Sequence, residues 1–364
     1  MNQAQPDPTL YTNPESIIPG LQRYKHPAMA TTYEIFLVHP DLQYAQGAVR
    51  AAFDELDRIE LDLSRYIENS DISRFNAVKA NQPLLMGISA FECLLLAQKV
   101  YGQTDGAFDV TIGSLFRCWL DRDNKLRQPT AHELKQARQL TGMNLIKLDA
   151  EELTALSEVE GLQVDLGGIG KGYAVDRMAN TLREWGIDAA LLHGGASSVL
   201  GMGEPPDQEG WPVTISDPEN LQDTLVRLNL KDQALGASGL LRGRHIIDPR
   251  TAEPVQAHIA AWVHISLDEN PAGDIKNNHS NMDNNEPIIS LPDSVGPHPI
   301  TTFADGLSTS FMVMSPPEIK DYCRRHKNIR ALIVQSQEKV SDSQSRFFLC
   351  GDWPKTELTE KLIR

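Results

Sequence analysis

A glycine-rich segment, VDLGGIGKGYAVD at residues 164–176, carries the strongest chemical signal in the sequence. Glycines let backbone N–H groups approach a phosphate closely, a following helix N-terminus adds positive potential, and Lys171 adds a full charge. The segment is not a Walker loop, because Gly167 and Lys171 are too close and no Ser or Thr follows the lysine. It is not a GxGxxG fingerprint either, because Gly168, Gly170 and Gly172 are evenly spaced. The pattern indicates an anion site, and a tight strand-to-helix turn is the alternative.

The segment TTFADGLSTSF at residues 301–311 places a carboxylate and a hydroxyl four residues apart. On a helix Asp305 and Thr309 share one face, where they could offer two oxygen ligands to a hard cation. The alternative makes Thr301 or Thr302 a helix N-cap and Asp305 a first-turn carboxylate that complements the helix dipole.

Three shorter segments carry polar side chains whose roles stay open at this level. RGRHIIDPRT at 242–251 predicts a strand that ends in an Asp-Pro turn, so that His245 is either a structural or a catalytic histidine. TDGAFDVTIG at 104–113 predicts a turn at Gly106, with Asp109 behind an aromatic residue. SRYIENSDISRFN at 64–76 is typical of a helix-to-loop transition and contains Tyr66 and Asn76.

The composition is that of an ordinary globular protein, with 364 residues, 41% hydrophobic and 23% charged, in which a net charge of −15 argues against a nucleic-acid surface. A phosphate-bearing substrate then needs a metal, a helix N-terminus or a few basic residues to offset the overall field. The four cysteines are scattered without zinc spacing, so we expect free, buried thiols in a reducing compartment. The sequence has neither a visible signal peptide nor an apolar run that could span a membrane, and we expect a cytoplasmic protein.

The elements that must position these segments follow from hydrophobic periodicity. Polar, Pro-containing residues 1–26 predict a flexible N-terminal arm, and a strand follows at 31–39. Apolar spacing predicts helices at 45–63, 89–102, 131–141 and 173–185, and short strands at 162–166 and 189–192 on either side of the glycine-rich loop and its helix. Because helices and strands alternate only in part, the pattern favours an α+β fold with mixed sheets and flanking helices over a doubly wound sheet. Residues 268–299 have six Asn and five Pro and predict a disordered or mobile insertion.

Taken together and in order, these segments resemble one known family. The matching motifs begin with Met29-Ala30-Thr31-Thr32, Tyr66 before residues 71–76, and Gly106 to Asp109, and continue with 165–176, 245–249 and 304–309. In this series the chain resembles the ApbE family of FAD:protein FMN transferases from about Met29 to the C-terminus. The resemblance implies a single ApbE-like catalytic domain over 27–364.

The resemblance also implies roles for individual residues. The residues that it places in contact with FAD are Met29, Tyr66, Ala107, Phe108, Asp109, Asp165, Lys171 and Ile247. The backbone carbonyl of Gly168 and the side chains of Asp305 and Thr309 would hold Mg²⁺, and His245 would lie at the reacting centre. The implied reaction transfers FMN from FAD to a Thr or Ser hydroxyl of a target flavoprotein and releases AMP.

The chain departs from the family pattern at several positions without losing an implied ligand. Ala30 replaces a Gly, Gly170 and Gly306 each replace an Ala, and residues 193–198 lack the usual acidic or amide residue after Gly-Gly. The segment 268–299 roughly doubles the distance that the family usually has between the motifs that match residues 245–249 and 304–309 here. Two alternatives remain open, namely an FAD pyrophosphatase that yields FMN and AMP, and a non-catalytic FAD-binding or storage protein.

Overall fold

The computed structural model describes residues 10–11, 18–121, 125–240, 246–267, 299–336 and 345–363. Its strands, in chain order, are β1 (Leu10–Tyr11), β2 (Gln22–Ala28), β3 (Thr31–Leu37), β4 (Leu84–Leu85), β5 (Ile146–Asp149), β6 (Thr154–Ser157), β7 (Ala190–Gly194), β8 (Ser198–Met202), β9 (Trp211–Asp217), β10 (Asn220–Leu230), β11 (Gln233–Gly239), β12 (Ile247–Asp248), β13 (Glu253–Pro254), β14 (His258–Ser266), β15 (Ile329–Gln335) and β16 (Phe347–Cys350). Its helices are α1 (Leu42–Leu63), α2 (Asp71–Phe75), α3 (Ile88–Gln103), α4 (Gly113–Trp119), α5 (Ala131–Gln139), α6 (Gly170–Glu184), α7 (Ile300–Val313), α8 (Pro316–Arg325) and α9 (Glu360–Ile363).

The centre of the fold is an eight-stranded sheet whose paired strands are all antiparallel, in the order β16-β15-β14-β11-β8-β7-β3-β2. Helices α1, α3, α6 and α7 cover one face and share the main hydrophobic core with it. The sheet β1-β9-β10 packs on the other face around a second core that contains Trp211 and Trp262. Because side chains alternate along a strand, β14 sends Ala261 and Val263 to the helices and Trp262 to the smaller sheet.

The predicted α+β class is confirmed, because the helices lie against antiparallel sheets rather than between parallel strands. The predicted helices occur with shifts of a few residues at their ends, and α6 begins at Gly170 instead of 173. The strand predicted at 162–166 is wrong, since these residues make only an isolated bridge between Gln163 and Ile112. Their backbone groups bond elsewhere: Val164 N donates to Asn76 Oδ1 (2.6 Å) and Asp165 N donates to Val110 O (2.7 Å).

The flexible arm predicted over 1–26 is corrected at its C-terminal end. Residues 22–26 belong to β2, the edge strand of the large sheet, and Leu10–Tyr11 pairs with β9. Side chains of β2 pair across to β3, so burial on one face holds the segment in register. The predicted insertion at 268–299 lies, apart from Pro299, outside the described residues.

Within the described ranges, no helix is both long enough and apolar enough to cross a membrane.

Candidate functional site

The candidate site forms where helices α6 and α7 cross in unusually close contact. A Cβ atom built on Gly172 of α6 would lie 2.3 Å from the carbonyl oxygen of Thr301 and 2.9 Å from Cβ of Asp305, both in α7. A Cβ on Gly236 of β11 would lie 2.0 Å from the carbonyl oxygen of Ala304, also in α7. Only glycine fits these two positions, so α7 is held tightly between α6 and the sheet.

Asp305 is buried at this crossing and is surrounded by hydrogen-bond donors. The backbone N–H of Gly172 donates to its Oδ2 at 3.0 Å, and the Lys171 Nζ atom lies 3.7 Å from the same oxygen. Burial raises the pKa of Asp305, and the charge of Lys171 and hydrogen bonds from Gly172 and the Ser198 hydroxyl oppose that rise. These partners offset part of the cost of burying the ionised carboxylate.

The alternative interpretation of the 301–311 segment, with a Thr N-cap, is wrong. The residue before the first turn of α7 is Pro299, and Thr301 and Thr302 lie inside that turn. Asp305 lies one turn further along the helix and is 1% exposed, so it is not a solvated first-turn carboxylate.

Thr309 and Gly168 face each other across the same crossing. A Cβ built on Gly168 would lie 3.3 Å from Thr309 Oγ1, which places the glycine-rich loop against the hydroxyl. The Ser238 hydroxyl of β11 lies 3.0 Å from Thr309 Oγ1 and 2.9 Å from Ser308 Oγ, and so it fixes the orientation of both. The spacing of four residues therefore does put Thr309 on the face of α7 that carries Asp305.

Lys171 connects the two halves of the site. Its ammonium group donates to the carbonyl oxygen of Gly167 at 2.9 Å and approaches Asp305 from the loop side. A positive charge thus already lies between the loop backbone and the buried carboxylate. The charge of Lys171 therefore offsets part of the charge of the buried carboxylate.

The oxygen atoms at this crossing fit a hard divalent cation in kind. A carboxylate, a hydroxyl and loop carbonyls are the ligands that Mg²⁺ accepts, and Mg²⁺ commonly takes only one or two protein carboxylates and completes its shell with substrate phosphate and water. Over the described ranges no group of three or more His, Cys, Asp or Glu side chains is placed to hold a metal ion. A metal at Asp305 would therefore depend on the phosphates of its substrate for the remaining ligands.

The GAFD turn packs directly beneath the glycine-rich loop. Phe108 is buried, and its Cε2 atom would lie 3.2 Å from a Cβ at Gly168; Ala107 is also buried. Asp109 Oδ1 accepts hydrogen bonds from Thr111 N (2.8 Å) and Thr111 Oγ1 (2.6 Å), and burial raises the pKa of Asp109. Its other oxygen accepts from Met143 N at 3.1 Å. The carboxylate of Asp109 therefore stabilises its own turn and the segment at Met143.

Arg65 contacts both Tyr66 and Asp165 where the chain enters the glycine-rich loop. Arg65 Nε lies 3.1 Å from Asp165 Oδ2, and the guanidinium carbon lies 4.8 Å from the centre of the Tyr66 ring. Asp165 Oδ1 accepts from Gly167 N at 2.8 Å, which tightens the turn into the loop. The Tyr66 side chain is 82% exposed, so one face of its ring is free to stack on a planar ligand. A cavity of about 360 Å³, lined in part by Arg65 and Arg117, opens beside this group.

Met29 lies in the two-residue turn between β2 and β3, and its N–H donates to Glu60 Oε1 of α1 at 2.8 Å. Met29 and Ala30 have φ values of 48° and 57°, the left-handed geometry of a tight hairpin turn that favours glycine. Ala30, which replaces the family's Gly, therefore adopts this conformation at a cost of roughly 1–2 kcal/mol. The Tyr33 hydroxyl donates to Met29 Sδ at 3.0 Å, and the Tyr33 ring borders Gly194 next to α6.

The remaining two predicted site residues lie apart from this crossing or outside the description. Ile247 is buried in a small separate cluster with Ile112 and Leu115, so its side chain is a packing residue there. His245 lies outside the described residues, and its role stays a prediction. The structure thus brings together Phe108, Gly168, Lys171, Asp305 and Thr309, with Tyr66 and Asp165 adjoining them.

Three further residues contact the predicted site residues and were not identified from the sequence motifs. Ser198 bonds to Asp305, Ser238 bonds to Thr309, and Arg65 joins Tyr66 to Asp165. Arg65 could have been noticed because it precedes Tyr66 directly. The two serines come from strands that only sheet pairing brings next to α7, and no local sequence signal marks them.

The four cysteines are free and buried, as expected from their spacing. None of them belongs to the crossing of α6 and α7.

Comparisons with known proteins show the family of the chain and its fold. The sequence profile of the ApbE family matches residues 29–272, about two thirds of the chain. An FAD:protein FMN transferase of Haemophilus influenzae is 28% identical over 344 residues, which cover 88% of this chain and 88% of that protein. One from Vibrio cholerae is 27% identical over 249 residues, which cover 65% of this chain and 73% of that protein.

Solved structures share the fold. The flavin transferase ApbE from Vibrio cholerae aligns with a TM-score of 0.71 at 24% identity, covering 91% of this chain and 97% of that one. The Pseudomonas stutzeri flavinyl transferase ApbE, in its apo form, aligns with a TM-score of 0.69 at 26% identity, covering 90% and 93%.

Proposed function

The chain belongs to the ApbE family, and from that membership we propose that it is an FAD:protein FMN transferase that uses Mg²⁺ and a Thr or Ser hydroxyl of a target flavoprotein as acceptor. AMP is the second product.

One observation carries the proposal beyond the family name. The glycine-rich loop with Lys171 and the helix with Asp305 and Thr309, which are 130 or more residues apart in sequence, meet at a single crossing. A pyrophosphate needs such a place in an acidic protein, because the net charge of −15 otherwise repels it. The start of α6 and the ammonium group of Lys171 supply positive potential there, while Asp305 and Thr309 would supply oxygen ligands.

FAD would lie with its pyrophosphate over the glycine-rich loop. Tyr66, whose ring is exposed and backed by Arg65, is placed to stack on a planar ring of FAD. Phe108 supports the loop from below, and Met29 would approach from the hairpin turn. Asp165 would act chiefly through Arg65 and the Gly167 N–H, which its carboxylate already engages.

The reaction is a phosphoryl transfer with balanced bond changes. The acceptor hydroxyl oxygen attacks the phosphorus on the FMN side of the pyrophosphate, and the bond from that phosphorus to the bridging oxygen breaks. FMN becomes a phosphate ester of Thr or Ser, and AMP leaves with the bridging oxygen. The hydroxyl proton passes to a base, for which His245 is the candidate because histidine titrates near neutral pH.

Asp305 and Thr309, with the carbonyl of Gly168, would hold Mg²⁺. When bound, the ion offsets charge on the pyrophosphate and on the departing AMP. Lys171 stays beside the loop to balance the remaining charge, and the burial of Asp305 keeps the electrostatic interactions strong.

Two alternatives use the same residues. Water in place of the acceptor hydroxyl would make the protein an FAD pyrophosphatase, and loss of the base would leave an FAD-binding protein. Asp305, Thr309 and Lys171 lie together at one crossing, which favours a catalyst over a storage protein. A protein that only binds FAD has no need of a buried carboxylate that would hold a metal ion.

A product assay separates the three. The protein is incubated with FAD and Mg²⁺, with and without a Thr-bearing acceptor peptide, and AMP, free FMN and FMN-peptide are quantified by chromatography. The proposal predicts AMP and FMN-peptide in equal amounts and a strong dependence of AMP release on the acceptor. AMP with free FMN, independent of acceptor, would instead establish the pyrophosphatase, and the absence of AMP would establish a binder.

A further inference from the structure

The first turn of α7 begins without a cap of its own. Pro299 precedes it, and no side chain at that position bonds to the helix. The leading N–H groups of a helix have no partner within it, and leaving them unbonded in a buried place is costly. Thr301 and Thr302 are both fully buried, so water cannot supply the missing acceptor.

The acceptor comes from the neighbouring helix, as the carboxylate of Asp176 in α6. Asp176 Oδ1 accepts from Thr301 N at 3.1 Å, while Oδ2 accepts from Thr302 N at 2.7 Å and from Thr302 Oγ1 at 2.6 Å. All three donors belong to the first turn of α7. Asp176 therefore caps a helix that is separated from it by more than 120 residues of chain.

Asp176 makes one of two sets of hydrogen bonds that link the backbone of one helix to a carboxylate of the other. Gly172 lies one turn earlier in α6, and its N–H donates to Asp305, which lies one turn later than Thr301 in α7. Two contacts spaced by one turn on each helix fix how far α7 slides along α6 and how it rotates. The same register decides whether Thr309, one further turn along, faces Gly168.

We propose that Asp176 is a positioning residue that holds α7 in register on α6, so that Asp305 and Thr309 meet Gly168 and Lys171. It touches neither the metal nor the substrate in this assignment. The inference rests on the proposed function for the identity of the ion, while the register itself follows from the contacts above.

The test compares Asp176→Asn with a matched control, Asp217→Asn. Asparagine keeps the shape of the side chain but presents an NH₂ group to one of the α7 donors. Asp217 is also a buried carboxylate with several partners, Arg346 and Lys361 among them, but it lies in β9 on the opposite side of the large sheet. Thr302→Val, which removes only the hydroxyl donor, is a milder second variant if Asp176→Asn does not fold.

Two readouts are measured without turnover. Mn²⁺ binding is followed by electron paramagnetic resonance in the presence of FAD, and amide hydrogen exchange is followed in peptides from 300–313. For Asp176→Asn we expect Mn²⁺ affinity to fall about 10–100-fold, the usual effect of losing a residue that orients a metal ligand, and exchange at the start of α7 to accelerate. Thr302→Val should shift both in the same direction by less, and Asp217→Asn should shift neither.

If Asp176→Asn folds and shows unchanged Mn²⁺ affinity and unchanged amide exchange, the inference is wrong, whereas the proposed function stands. Thr302→Val takes the place of Asp176→Asn in this comparison if Asp176→Asn does not fold. If the unaltered protein binds no Mn²⁺ with FAD present, the proposed metal site fails, and the inference fails with it. Equal shifts in the Asp217→Asn control would also contradict it, because they would reduce the effect to general loss of stability.

Discussion

Replacing Gly172 with alanine should separate the two halves of the candidate site while leaving the rest of the fold in place. The new Cβ would lie 2.3 Å from Thr301 O and 2.8 Å from Thr301 C, whereas ordinary contacts begin near 3.4 Å. The obstacle is backbone, which cannot rotate away as a side chain could. Helix α7 must therefore move by about 1 Å relative to α6.

The expected magnitude has two parts. Overpacking typically costs about 1–3 kcal/mol, and alanine in place of a helical glycine returns up to about 1 kcal/mol, so that the free energy of unfolding should fall by about 0–3 kcal/mol. Activity should fall far more, by about 10²-fold, because a misplacement of about 1 Å disrupts the geometry that phosphoryl transfer requires. The 3.0 Å bond from Gly172 N to Asp305 Oδ2 should also be lost or lengthened.

Gly102 supplies the matched control, since it is an exposed helical glycine in α3 whose added Cβ would meet nothing within 4 Å. Gly102→Ala should raise the free energy of unfolding by up to about 1 kcal/mol and leave transfer unchanged. Urea unfolding and the rate of FMN-peptide formation are measured for both variants. A Gly172→Ala protein with normal stability and normal transfer would refute the close crossing of α6 and α7.

The other predictions concern single side chains. Asp305→Ala should slow FMN transfer on the order of 10³-fold and remove its dependence on Mg²⁺ concentration. Thr309→Val should slow the transfer less than Asp305→Ala does. Undiminished transfer by Asp305→Ala in buffer that contains EDTA would contradict the metal assignment. His245→Asn should lower kcat by about 10²–10⁴-fold with little change in KM. The activity of the unaltered protein should fall as the pH drops through the range where histidine titrates, and the variant should lack this fall. An unchanged pH profile in the variant would exclude His245 as the base. Burial raises the pKa of Asp176 from 3.8 to about 6, so its contribution to stability is fully present below pH 4 and is lost as the pH rises through 6. The stability of the unaltered protein relative to Asp176→Asn should accordingly fall by about 3 kcal/mol between pH 3 and pH 7, and a difference that stays constant in urea unfolding would show that Asp176 keeps an ordinary pKa.

Periodicity predicted the long elements well, because burial decides them locally. In α1 the residues that face the core recur at helical spacing, and the side chain of Asp41 caps the first turn by accepting from Gln43 N and Tyr44 N. The same reasoning placed Asp305 and Thr309 on one face of a helix. It could not show that Asp305 is buried, because α6 and β11, which enclose it, lie far away in the chain.

The prediction of a strand at 162–166 was wrong because the deciding contact is with a residue far away in the sequence. A short apolar run fits a strand as well as any buried segment, and the deciding partner is the Asn76 side chain. Asn76 accepts from Val164 N at 2.6 Å and donates to Val164 O at 2.9 Å, which replaces a neighbouring strand. The motif at 71–76 thus supports the glycine-rich loop, a relation visible only in the folded chain.

The family resemblance supplied what spacing alone left open. From the residues alone, the segment at 301–311 left both a helix N-cap and a pair of metal ligands open. A Cβ at Gly306 would lie 3.3 Å from both γ carbons of Val100, so glycine relieves a tight contact with α3. The location in the cytoplasm and the role of His245 remain predictions.

The most direct test of the central claim is the intact mass of an acceptor protein or peptide after incubation with the enzyme, FAD and Mg²⁺. We expect a gain equal to one FMN less one water, located by fragmentation on a Thr or Ser, together with release of AMP. An acceptor in which that residue is replaced by Val, and a reaction with Asp305→Ala enzyme, should both show no gain. An unmodified acceptor in the presence of FAD hydrolysis, or FMN attached to the Val-substituted acceptor, would contradict the account.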